Sequence, residues 1–427
     1  MNKILFASCL LIGFNLQILA QRPSTVLKIT EPELAGFSDV AIHRIDSLLQ
    51  QYTNKHLIGG ATALVAKDGK VVYYKAVGKR NFNNQPMERT DIFRIASQTK
   101  AITAVAVMML YEQGKFLLDD PISKFIPSFA NPVVIDSFIA SDSSFTTRPA
   151  KREITIRDLL THTSGIHYSQ IGNKTFNAIY SKSGITSGIG VKGHILGEDI
   201  IKLGKLPLAH HPGEKFTYGL NSDVLGYLVE VASGQTLDKF FKSKIFDPLG
   251  MKDTYFFLPK EKQQRLTVLY GEDEAKLVVK KEATFPLNGD WITDYPNTNG
   301  TYFSGGGGLS STAYDYSLFM QMMLNKGSYN GHRLLSPSTV EMMTMNQTAQ
   351  FGLPDANLGL GFGISTLKEK AKLGMSPGSY SWGGMFSSSY WIDPEKNIVA
   401  QLFINQLPMS HGAIHDKFKA LVYAALK

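Results

Sequence analysis

The feature that most constrains this chain is the run Ala101-Ile102-Thr103-Ala104-Val105-Ala106-Val107-Met108-Met109-Leu110, which follows Phe93-Arg94-Ile95-Ala96-Ser97-Gln98-Thr99-Lys100. No charge interrupts the run, and Ala, Val and Met dominate it. Such a segment reads as a buried helix. Ser97 and Lys100 stand at its start, three residues apart, and positions i and i+3 share a helix face. A serine is a poor nucleophile at neutral pH without a base beside it. A lysine serves as that base only if burial and the positive end of a helix dipole lower its proton affinity. The spacing marks a candidate acyl-transfer nucleophile. Taken alone, it fits a solvated Ser N-cap followed by a surface lysine better.

The remaining composition narrows the classes. The chain has 427 residues, 43% hydrophobic and 19% charged, enough for one large or two medium domains. Lys3, the mostly apolar run Ile4 to Leu19, and Ala20 before Gln21 predict a secretory signal peptide over 1–20. Asn15 and Gln17 interrupt that run, so no stable membrane span is expected after cleavage. The single cysteine, Cys9, falls inside this segment. The mature chain therefore lacks disulfides, a thiol nucleophile and Cys-ligated metal. Net charge is +8. The basic residues are dispersed and mixed with acids, as in Lys260-Glu261-Lys262, so no nucleic-acid partner is expected.

In chain order, Gln21 to Thr30 reads as an extended leader and Ser38 to Gln51 as a helix. Ala61–Ala66 and Val71–Ala76 form a hairpin about Asp68-Gly69. Asn131 to Lys151, rich in Ser and Thr, reads as a loop or insertion. Ile154 to Gly165 reads as a short helix. Tyr168 to Gly197 reads as a long loop, and its Gly188-x-Gly190-x-x-Gly193 follows no convincing strand and is discounted as a dinucleotide site. Helices are expected over Asp223–Glu230, Leu237–Ile245, Tyr314–Asn325 and His415–Leu426. Strands are expected over Lys276–Lys280, Ser388–Ile392 and Asn397–Asn405. No His-Glu-x-x-His spacing and no Gly-x-Ser-x-Gly elbow occur, so neither a metal nor an α/β-hydrolase is expected. His162 reads as structural. The aromatics Tyr168, Trp291, Tyr295 and Tyr302 either line an acyl pocket or cover core.

Three stretches fall in order: Ser97-Gln98-Thr99-Lys100, Tyr218-Gly219-Leu220 and Trp382-Gly383-Gly384. With Leu160-Thr161-His162-Thr163-Ser164-Gly165, His211-Pro212-Gly213-Glu214 and Gly305 to Leu309, they resemble the serine β-lactamase and penicillin-binding protein superfamily. The resemblance spans roughly 35 to 425 and is closest to class C β-lactamases and family VIII carboxylesterases. It implies an α+β fold: an antiparallel β-sheet flanked by helices, plus a helix-rich lobe. The sheet lobe would come from about 35–95 and 300–427, and the helical lobe from about 96–299.

The resemblance also implies roles. Ser97 would form an acyl-enzyme, with Lys100 and Tyr218 sharing the proton work and no cofactor. The backbone N–H groups of Ser97 and Met385 would form the oxyanion hole, and Gly383 and Gly384 would let their strand run close to the acyl group. Two departures stand out. The middle motif has Leu220 where class C enzymes carry an Asn, with Asn221 one residue late. Trp382 replaces the Lys that opens the third motif in β-lactamases. Both changes favour an apolar, uncharged acyl ester over a β-lactam. The expected protein is a periplasmic or secreted esterase acting on a small-molecule ester or amide. The alternatives are a D-Ala-type peptidase or β-lactamase, and a non-catalytic acyl-binding or sensor module.

Overall fold

The computed structural model describes residues 25–186, 188–280, 293–350, 352–353 and 356–427. The expected signal peptide over 1–20 with Cys9, and the candidate pocket residue Trp291, lie outside the described residues. Asp68 and Gly69 both take positive φ, 52° and 74°, as a two-residue hairpin turn requires. They join β2 (Gly60–Lys67) to β3 (Lys70–Gly78). β1 (Lys28–Ile29) runs parallel to β3 at the edge. The other strands come from the far end of the chain: β4 (Gly363–Ile364), β5 (Tyr380–Gly384), β6 (Ser388–Asp393) and β7 (Ile398–Ile404). The sheet order is β1-β3-β2-β7-β6-β5-β4, antiparallel except at β1.

β7 is apolar but for Gln401, whose buried side chain donates to the Ala313 carbonyl, and its packing explains why. Alternate side chains feed opposite faces of the sheet. Ile398, Ala400, Leu402 and Ile404 pack with α1 (Arg44–Asn54) and α5 (Ala413–Ala424), through Ile45, Leu49, Phe418 and Val422. Val399 and Phe403 face the larger core, which holds α2 (Thr99–Glu112), α3 (Asn221–Ser233) and α4 (Ala313–Leu324). A strand covered on both faces has no polar side to show. α2 is buried along nearly its whole length, because neighbours cover it on every side.

Several local expectations need correction. Asn131–Lys151 is no loop: Val133–Ile139 and Ser144–Pro149 pair as a hairpin, tied by Ser137 Oγ and Thr146 Oγ1 at 2.7 Å. Backbone bonds between Val133, Ile135 and Leu208 fasten it to the helical lobe. Its Ser and Thr hydroxyls resemble loop chemistry, while the β-branched residues on the same stretch favour the strand. Within 168–197, Lys174–Lys182 is a helix whose first turn is capped by the Asn173 side chain. The expected helix over 154–165 is only Ile156–Leu160, started by a Thr155/Asp158 capping box. It stops because His162 and Gly165 take positive φ. The first helix breaks at His43, and a π-turn over Lys242–Phe246 follows a short helix at Leu237–Phe241. Only Val278–Lys280 of the expected 276–280 strand pairs. No described helix is long and apolar enough to cross a membrane.

Candidate active site

Ser97 sits in a 3-10 turn, Ala96–Gln98, just ahead of α2, and Lys100 lies in the first turn of that helix. Ala96 before it takes a φ of 43°, so the backbone turns sharply into the serine. Lys100 is 2% exposed. Its Nζ donates to Ser97 Oγ at 3.0 Å, Tyr168 Oη at 2.9 Å and Gly306 O at 2.6 Å. Three acceptors thus meet the three hydrogens of one ammonium.

Tyr218 arrives on the Phe216–Leu220 segment before α3. Gly219 is required there, because any side chain would run into the Ile166 carbonyl and His167. Thr217 N–H donates to His162 O at 2.7 Å and helps fix the segment. Tyr218 Oη stands 2.7 Å from Ser97 Oγ, and Lys100 Nζ lies 4.8 Å from the Tyr218 ring centre. Burial pushes the Tyr218 phenol up, but the Lys100 charge and the contacts with Lys100, Ser97 and Trp382 outweigh it and hold the phenol below its ordinary value. Tyr168 is driven the opposite way: burial, then the charges of Tyr218 and Asp223, raise it far above the ordinary range. Of two phenols beside one amine, Tyr218 holds its proton less tightly and Tyr168 more tightly than an ordinary tyrosine.

β5 forms the opposite wall. Gly384 is pressed so close to the Ile95 carbonyl and Ser388 that a Cβ there would collide with both. That approach brings the backbone leading to Met385 alongside the Ser97 turn, and Met385 packs against the cluster holding Ala96 and Phe386. Gly383 is exposed. The Trp382 ring stacks on His162 at 6.1 Å and 17°, and tilts against Tyr218 at 6.0 Å. Burial lowers His162 to about 3, with Lys100 adding to the effect, so this imidazole is neutral. Asn221 is fully buried and turned into the lobe, where it meets Ser164, His162 Nδ1 and Thr217 O. Among the described residues no cluster of three His, Cys, Asp or Glu side chains converges as a metal site would need.

The structure therefore gathers Ser97, Lys100, Tyr218 and Trp382 in one crevice and lays Gly383, Gly384 and Met385 along its edge. It also places there a residue the motifs did not single out, Tyr168. From sequence Tyr168 is one of four aromatics that either line an acyl pocket or cover core, and nothing local marks a contact with Lys100. Tyr295 and Tyr302 are both core residues, the first packed against Arg94.

A family model for beta-lactamase matches residues 45–424. The chain belongs to the beta-lactamase family. Protein Rv1367c of Mycobacterium tuberculosis (strain ATCC 25618 / H37Rv) is 30% identical over 374 residues, covering 84% of this chain and 89% of the relative. Esterase EstB of Burkholderia gladioli is 29% identical over 374 residues, covering 85% and 90%. The solved structure of EstCE1, described as a hydrolase with promiscuous acyltransferase activity, superposes with a TM-score of 0.77 at 25% identity, covering 90% of this chain and 99% of that one. The protein is a serine hydrolase of the β-lactamase fold with esterases among its relatives. Measured against that family, Leu220 fills the third place of the middle motif and is 1% exposed, so it offers the cleft no amide.

Proposed function

We propose that this β-lactamase-family protein is a carboxylesterase that cleaves neutral acyl esters through an acyl-enzyme on Ser97. The observation that carries the reading is Ser97 Oγ within hydrogen-bond reach of both Lys100 Nζ and Tyr218 Oη, opposite a wall that presents Trp382 instead of a cation. Tyr218, with its lowered phenol, takes the Ser97 proton as Oγ attacks the carbonyl carbon. Lys100 keeps Oγ and the phenolate in place as a charge. The N–H groups of Ser97 and Met385 receive the oxyanion. Collapse expels the alkoxide, which regains a proton from Tyr218 and leaves as an alcohol. Water then attacks the acyl-Ser97 with Tyr218 as base, giving a carboxylic acid and free Ser97.

The absence of a lysine at position 382 and of an amide at position 220 supports an ester without a carboxylate over a β-lactam or D-Ala peptide. The charged start and apolar run of residues 1–20 support export to the periplasm or beyond, which sequencing the N-terminus of the protein recovered outside the cytoplasm tests. The decisive assay sets p-nitrophenyl esters of rising acyl length beside a chromogenic cephalosporin and a D-Ala-D-Ala peptide, with Ser97→Ala as control. Ester turnover at least about a hundredfold above the other two substrates fits the reading; faster cephalosporin or peptide cleavage overturns it.

A further inference from the structure

A buried carboxylate behind Lys100 is left unused by the mechanism above. Asp223, in the first turn of α3, is fully buried. Its Oδ1 accepts from Ser304 Oγ at 2.6 Å. Its Oδ2 makes no hydrogen bond of good geometry but lies against Gly306, and the backbone N–H groups of Gly306 and Asp223 add a weaker pull toward the charged form. A methyl group added at Gly306 would run into that carboxylate and stand 3.6 Å from the Tyr168 hydroxyl. A side chain at Gly188 would likewise stand 3.0 Å from Oδ1 and 3.1 Å from Ser304 Oγ. Two glycines thus clear the space for one carboxylate. Gly306 is the residue whose carbonyl accepts from Lys100, and Gly305 O accepts from Thr103 one turn along α2.

A fully buried carboxylate with one strong hydrogen bond is costly unless a charge faces it. The charged or titratable groups facing Asp223 are Lys100 from α2, Tyr168 from the loop after Gly165, and Tyr302 from the segment before Ser304, with Asp199 beyond Tyr302. Lys100 is the only cation among them. We propose that Asp223 is the positioning residue for Lys100: held by Ser304, its carboxylate fixes the Gly305–Gly306 backbone that receives the ammonium and supplies the negative charge opposite it. The proposal rests on Ser97 and Lys100 acting as described above. Burial raises Asp223 to about 6, against the pull of Ser304 and Lys100, so the anion is present at pH 8 and lost on mild acidification.

The test is kcat and KM for p-nitrophenyl acetate, read at a pH-independent wavelength from about pH 5 to 9, for wild type, Asp223→Asn and Ser304→Ala. Thermal melting confirms that each variant is folded. At pH 8, Asp223→Asn lowers kcat by about tenfold or more and leaves KM within about threefold. The wild-type advantage then closes as pH falls through about 6, because the protonated acid and the amide carry no charge. Ser304→Ala removes a bond to the charged form, so its acid inflection moves up while its pH 8 rate falls less. A wild-type to Asp223→Asn ratio constant over this range, or an unchanged kcat, overturns the proposal. If Asp223→Asn does not fold, an unshifted inflection in Ser304→Ala overturns it. An active Ser97→Ala protein sinks the nucleophile instead, so the two failures are told apart.

Discussion

The two walls of the crevice are built on opposite plans. The α2–α3 wall is crowded with polar atoms that are buried and mutually bonded: Lys100 alone holds Ser97, Tyr168 and the Gly306 carbonyl. The β5 wall offers an indole, two glycines and backbone, with Gly383 open to solvent. Proton transfer needs fixed donors and acceptors in a dry setting, and the first wall provides them. Selection among substrates needs shape and the presence or absence of charge, and the second wall provides those. On this division, changes to the first wall reduce all substrates together, and changes to the second alter their ratio.

The largest expected effect is on the first wall. Ser97→Ala should lower ester hydrolysis by at least about a thousandfold and abolish labelling by a fluorophosphonate probe. Tyr218→Phe should lower kcat by about a hundredfold or more for every substrate, with KM little changed; near-normal turnover would remove the phenol from the proton path. Gly384→Ala tests where the walls meet. Its Cβ must push against the Ile95 carbonyl, so kcat should fall by about ten- to a hundredfold as the oxyanion donors shift. Trp382→Lys should raise the rate on a cephalosporin relative to a neutral ester by about fivefold, since one ion pair is worth about a kcal/mol in a half-exposed setting. An unchanged ratio would show that the second wall does not select.

The last effect is on stability and leaves the comparison of rates untouched; it concerns the residue between the walls, His162. Its folded value of about 3 lies below the ordinary 6.5, so the unfolded chain binds the proton first. The stability it lends is full above pH 6.5 and drains as pH falls toward 3, by about 2 kcal/mol at pH 5. Denaturant titrations at pH 7 and 5 should show that loss, and a His162→Asn variant should lose less between the two.

What could be read from the chain follows the range of the interactions. Ser97 and Lys100 are three residues apart, so helical geometry alone brings them together. The Asp68-Gly69 hairpin is legible for the same reason. Tyr168 reaches Lys100 across 68 residues, and the Gly306 carbonyl across 206. No local period encodes either contact. Asp223 looks like an ordinary acid in the first turn of a helix, where the dipole favours one anyway, so its burial was not visible. The hairpin over 133–149 was hidden by hydroxyl-rich composition, which fits loops and solvent-facing strands alike. Asn221 shows how a shift of one position matters: it turns the amide away from the crevice and into the packing around His162.

The sheet order has one more implication. β2 closes on β7, far along the chain, and β5 joins the sheet beside the serine through β6 and β7. A chain without β5, β6 and β7 would hold the serine but not the wall it works against. Activity therefore reports folding of the whole sheet: the wall beside the serine takes its place when β2 and β7, far apart along the chain, have paired.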